Sequence, residues 1–200
     1  MSVHDFWTPF ALLPFLNSLF IGISLASIFF IAALGLTIIY GAMGVINMAH
    51  GEFIMLGAYT TYVLQTFFGI PFLICLPLVF IAIALIGLAI ERGLIRTLYQ
   101  RPLDTLLATW GLSLILIQGI RLIFGGEPKY VGVPKWLDFQ IEATFIHLSG
   151  VRLFIIIFAV AIGAITWFLM YRTTLGIRVR AVMQDKEMAA SFGIDANRIY

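Results

Sequence analysis

Residues 16–40 read LNSLFIGISLASIFFIAALGLTIIY, and residues 41–52 follow as GAMGVINMAHGE. The first stretch carries no charge and is long enough to cross a bilayer, since about 20 apolar residues span one hydrocarbon core. The second interrupts the apolar run with three glycines, Asn47, His50 and Glu52. Working outward, Glu52 is the only Asp, Glu, Lys or Arg between Phe6 and Ile90. A run this apolar cannot form the exterior of a water-soluble fold. Ionisable groups at membrane depth are costly, so by default they mark functional sites.

The rest of the composition agrees. The 200 residues are 62% hydrophobic and 11% charged, against roughly 25% charged in soluble domains. Mean hydropathy is +1.05 and net charge +2. The single cysteine, Cys75, rules out an intrachain disulfide or a cysteine metal cluster. The expected fold class is all-α, a polytopic transmembrane helical bundle. Its five membrane segments run from Leu16 to Tyr40, Glu52 to Phe68, Phe72 to Ile90, Thr105 to Phe124 and Leu153 to Met170. Gly69-Ile70-Pro71 reads as a tight turn, because Gly permits unusual backbone angles and Pro restricts the residue before it.

Lysine and arginine set the orientation. Arg92, Arg96 and Arg101 lie between the third and fourth segments, and Arg172, Arg178, Arg180, Lys186 and Arg198 follow the fifth. Two spans separate these basic stretches, so both belong on one side, the cytoplasm, and five spans put the N-terminus outside. Residues 1–171 are then a transmembrane region with an external loop at about 125–151, and residues 172–200 a cytoplasmic segment. The external loop carries Gly125, Gly126, Pro128, Pro134 and Gly150, and has room for short strands or an interfacial element around Trp136. Tyr40, Tyr59, Tyr62 and Tyr171 suit an aromatic interfacial belt.

Two readings of residues 41–51 stand side by side. In one, the segment is a broken helix lining a solute path, with Asn47, His50 and Glu52 offering hydrogen-bond partners to a small polar solute. In the other, it is a short cytoplasmic turn. Gly41, Gly44, Gly51 and Gly57 then allow close helix packing, and Glu52 is a helix-start acid favoured by the macrodipole. A metal site finds little support, since His50 and Glu52 are two apart and do not share a helical face. No catalytic residue is assigned, because no nucleophile–base pair accompanies His50 and Glu52. A membrane enzyme and a passive channel are the alternatives from other functional classes. In the tail, Asp185 can cap a short helix that Gly193 ends, with Met188, Phe192 and Ile194 as an apolar patch. That helix suits docking to a partner protein or to anionic lipid.

Residues 35–59 (GLTIIYGAMGVINMAHGEFIMLGAY) closely resemble the LivH-type permeases of bacterial ABC importers, which include branched-chain amino-acid permeases and urea permeases of the UrtB type. Residues 180–194 (RAVMQDKEMAASFGI) resemble the family's coupling segment, a relative of Glu-Ala-Ala-x-x-x-Gly. The resemblance implies an ATPase-coupling helix at about 184–194 carried by Asp185, Glu187, Met188, Ala189, Ala190 and Gly193. It also implies a bacterial inner-membrane location and a heteromeric complex. That complex contains a second permease subunit, two ATP-binding cassette subunits that use ATP and Mg, and an external solute-binding protein. The chain itself binds no cofactor: it has no Gly-x-x-x-x-Gly-Lys-Ser/Thr loop. Its other contacts are membrane lipid and not nucleic acid. Residues 101–113 (RPLDTLLATWGLS) and 121–125 (RLIFG) resemble the urea branch more than the amino-acid branch. The expected solute is therefore urea or a short-chain amide, with branched-chain amino acids as the alternative. Relatives continue with further membrane segments where this chain stops at Tyr200, which reads as a fragment or truncated frame.

Overall fold

The structure, a computed structural model, describes residues 3–98, 101–143 and 146–193. Helix dominates, as expected. In chain order the elements are α1 (Val3–Met43), α2 (His50–Phe68), α3 (Phe72–Gly93), a 3-10 turn (Ile95–Leu98), α4 (Pro102–Phe124), the strands β1 (Gln140–Ala143) and β2 (Ile146–Ser149), α5 (Gly150–Arg172), α6 (Thr174–Gln184) and α7 (Lys186–Ser191).

Among the described residues, four stretches are long and apolar enough to cross a membrane: Phe15–Gly41, Phe72–Gly93, Leu103–Phe124 and Gly150–Arg172. These correspond to four of the five expected segments. The expected second span, α2, is not among these four. It is 19 residues long, about 28 Å of helix. However, His50, Glu52, three threonines and Gln65 dilute its apolar character below that of its neighbours. The large apolar side chains of the spans point outward: Phe29 is 72% and Phe80 76% exposed. Apolar surface this continuous needs lipid or protein against it.

The chain divides into two compact units, Met1–Gly35 with Val133–Val179, and Leu36–Gly132 with Arg180–Tyr200. In the first, small residues let α1 and α5 meet: the Phe30 ring lies where a Cβ on Gly163 would approach within 3.0 Å. Ser24 and Ala159 are buried. The short strands expected between residues 125 and 151 form an antiparallel hairpin, with Gln140 opposite Ser149 and Ala143 opposite Ile146. Gly150 joins it to α5. Its N–H donates to the Phe139 carbonyl (3.0 Å), and a Cβ there would come within 2.5 Å of the Leu137 carbonyl oxygen. Trp136 packs edge-on to Phe154, which stacks on Phe158.

In the second unit α2 and α3 run antiparallel, Phe53 facing Gly87 and Gly57 facing Val79. The expected turn joins them. Gly69 takes φ 63°, and the N–H groups of Gly69 and Ile70 donate back to Gln65 and Leu64. These bonds satisfy helix-end carbonyls in a left-handed cap. Tyr59 and Tyr62 meet the Phe124 ring of α4 at 4.8 and 6.3 Å between centroids. Gln65 both donates to and accepts from the Gly132 backbone (3.1 and 2.8 Å), tying the segment after α4 to the end of α2.

The tail also differs from expectation. One short helix was expected from residue 183 or 184 to 193 or 194; two helices are present, α6 ending at Gln184 and α7 beginning at Lys186. Asp185 is the joint between them. Ile194 and Arg198 lie outside the described residues.

Candidate functional site

The break between α1 and α2 is built by local chemistry. Gly44 takes φ 68° and its N–H donates to the Tyr40 carbonyl (2.8 Å), ending α1. Gly is the residue that occupies this left-handed region without a Cβ penalty. Asn47 then makes a side-chain turn, its Oδ1 accepting from the Ala49 N–H (3.0 Å). Ala49 is fully buried and stands at the start of α2, where Glu52 occupies the first turn. An acid there is stabilised by the unpaired amides of the helix N-terminus.

A row of hydroxyls on α4 receives this break. Thr105, Thr109 and Ser113 recur every four residues, so they share one helical face, and all three are buried. Thr105 shares its hydroxyl proton between the carbonyls of Leu98 (2.7 Å) and Arg101 (3.0 Å), fastening the 3-10 turn to α4. Thr109 Oγ1 accepts from the Met48 N–H (3.2 Å) and donates to the Leu106 carbonyl (3.1 Å). Ser113 donates to Glu52 Oε1 at 2.6 Å. The other oxygen, Glu52 Oε2, is buried and has no hydrogen-bond partner among the described residues. Thr109 lies seven residues beyond Pro102, about 10 Å along the α4 axis. The break therefore sits about two helical turns inward from the start of α4.

The expected site residues separate. Asn47 and His50 line a cavity of about 390 Å³, with Ile39 and Met43 of α1, Val45, Phe53, and Ala84, Gly87, Leu88 and Glu91 of α3. Glu52 is not in that wall, because its side chain is turned to α4. The cavity is mostly apolar with three polar side chains, Asn47, His50 and Glu91, a mixture typical of small-molecule sites. Glu91 and the hydroxyl row were not singled out from sequence. The four-residue spacing of Thr105, Thr109 and Ser113 inside an apolar helix was the readable signal for the row. Nothing local announces that Glu91 faces His50's cavity. Trp110 and Gln118 of α4 are exposed.

The glycines also divide by role. A Cβ on Gly41 would overlap the Met183 side chain of α6, so Gly41 serves close packing, whereas Gly44 serves the turn and Gly51 has open space around it. A glycine inside a helix costs about 1 kcal/mol relative to alanine, which the close approach at Gly41 accounts for.

In the tail, Asp185 caps α7 as expected, its Oδ1 accepting from the Met188 N–H (2.9 Å). Gly193 ends the helix at φ 80°, its N–H donating to Ala190 (3.0 Å). Ala189 is buried, Ala190 is exposed, and Met188 and Phe192 are well exposed. Glu187 lies within α7.

Comparison with known proteins gives this geometry a context. A family model described as branched-chain amino acid transport system / permease component matches residues 18–200. The chain is 28% identical to the high-affinity branched-chain amino acid transport system permease protein BraD of Pseudomonas aeruginosa, over 92% of this chain and 64% of that protein. It is 30% identical to a probable branched-chain amino acid transport permease protein LivH of Methanocaldococcus jannaschii, over 83% of this chain and 54% of that one. It is 29% identical to LivH of Escherichia coli K12, over 94% and 65%. The chain thus spans between about half and two-thirds of these relatives. No solved structure matches. All three relatives are named for branched-chain amino acids, and none of the three for urea, the solute expected from residues 101–113. Within that stretch Thr105, Thr109 and Ser113 fasten α4 to the α1–α2 break and to the 3-10 turn. With four apolar spans and a family match over nearly its whole length, this chain is an integral membrane protein that belongs to the branched-chain amino acid transport system permease family.

Proposed function

We propose that this chain belongs to the permease of an ATP-driven importer that carries branched-chain amino acids across the bacterial inner membrane. The observation that carries the reading is the cavity at the α1–α2 break. Ile39, Met43, Val45, Phe53 and Leu88 offer an apolar wall to a branched side chain, and Asn47, His50 and Glu91 offer polar partners to an amino-acid head group. Urea, which has no apolar part, leaves that wall unmatched. A second permease subunit completes the path, an external binding protein delivers the solute, and two cassette subunits hydrolyse ATP against α7. Met188 and Phe192 present exposed apolar surface for that docking, on a helix fixed at both ends by Asp185 and Gly193. The basic stretch of Arg92, Arg96 and Arg101 and the tail then lie in the cytoplasm, with the N-terminus outside if α2 completes a crossing.

The test is uptake of labelled leucine and labelled urea by cells carrying the complete transport system. Leucine uptake that stops when nucleotide turnover is blocked supports the reading. His50→Ala is expected to weaken apparent leucine affinity at least fivefold with normal membrane insertion. Unchanged affinity and rate in that variant would remove the cavity from the solute path.

A further inference from the structure

We infer that Met183 is the side chain through which the tail moves the α1–α2 break; this rests on the reading of α7 as the ATPase-docking helix. Gly41 and Met183 are the only pair among the described glycines where the space for a Cβ is filled by the far end of a methionine. The Met183 Sδ and Cγ lie 3.4 and 3.8 Å from the Cβ position, so the thioether runs along the bare backbone of the last turn of α1. Ile39 and Met43, two residues to either side of Gly41, line the cavity with Asn47 and His50. Residues two apart on a helix face nearly opposite ways. The end of α1 is therefore held between the cavity on one face and Met183 on the other.

The tail is built to pass displacement to this contact. The Asp185 N–H donates to the Ala181 carbonyl (3.1 Å), and the Ala189 N–H donates to the Asp185 carbonyl (3.0 Å). With the side-chain cap to Met188, three hydrogen bonds brace the joint between α6 and α7. Val182, beside Met183, and Ala189, on α7, are buried. A force on α7 reaches Met183 through this braced corner. At Gly41 it is three residues from Gly44, where α1 ends. A methionine suits a contact kept through motion, since its unbranched side chain repacks readily.

Two measurements on the complete transporter in membranes test this. First, Met183→Ala is expected to lower leucine uptake per ATP hydrolysed at least fivefold, with ATP hydrolysis and membrane insertion within twofold of the unsubstituted complex. A ratio that stays within twofold overturns the coupling role. Second, Gly41→Cys with Met183→Cys, in a Cys75→Ala background, places two thiols within disulfide reach, because the Met183 Cγ marks where the second sulfur sits. Oxidation is expected to form the cross-link and stop uptake, and reduction to restore it. No cross-link would overturn the contact. A complete cross-link with uptake unchanged would overturn its movement. The cross-link forms or fails whether or not ATP drives transport. Uptake indifferent to nucleotide in the unsubstituted complex would instead fault the importer reading on which this inference rests.

Discussion

Ser113→Ala probes the hydrogen bond that joins α4 to the part-buried carboxyl group of Glu52. Ser113 supplies the hydrogen bond to Oε1 at 2.6 Å, and Oε2 has no partner among the described residues. Side-chain hydrogen bonds between membrane helices average only about 0.6 kcal/mol, because the unfolded chain in the bilayer finds substitutes. Removing the donor also leaves a part-buried carboxyl oxygen without this partner, and an oxygen kept from water in that way costs about 1–3 kcal/mol. Together these place Ser113→Ala at about 2 kcal/mol destabilising, some 30-fold in the folding equilibrium. The assay is unfolding of the purified permease by titration from mild detergent into a denaturing one, followed by helical circular dichroism. Glu52→Gln and the double variant complete a cycle, with an expected coupling of about 1 kcal/mol or more. A loss below about 0.5 kcal/mol for Ser113→Ala, with no coupling in the cycle, would refute the idea that this bond fastens α2 to α4, since that is the size of an ordinary membrane side-chain contact.

Gly150→Ala should cost about 1–3 kcal/mol, because its Cβ meets the Leu137 carbonyl and the Phe139 ring, neither of which yields without moving backbone. Faster proteolytic cleavage between residues 134 and 150, with the helices intact, is the readout. Gly193→Val forces a β-branched residue to φ 80° at the end of α7. ATP-dependent leucine uptake should fall sharply while membrane insertion is retained, and normal uptake would argue against coupling through this helix.

Features fixed by nearest neighbours along the chain were legible in advance. The turn at Gly69, the cap at Asp185 and the left-handed end at Gly193 need only a residue type and its local hydrogen bonds. The hairpin between residues 140 and 149 fell inside the stretch marked for short strands. The α2 segment has the length of a crossing, while its composition is more polar than that of its neighbours. The tail was only half read: the stop at Gly193 was visible, while the joint at Asp185 divides what looked like one short helix from the end of a longer one.

The sequence alone determined that this chain lives in lipid, where four of its spans lie, and that the apolar run is interrupted at residues 41–52, because hydrophobicity, glycine and capping act over a few residues. Only the tertiary structure decided which way each polar side chain of the break turns. Glu52 is claimed by Ser113 on α4, His50 shares a cavity with Glu91 of α3, and Gly41 is covered by Met183. Those choices depend on helices far apart in sequence arriving at one place. No local propensity encodes them, since a helix presents every face equally until a neighbour covers one.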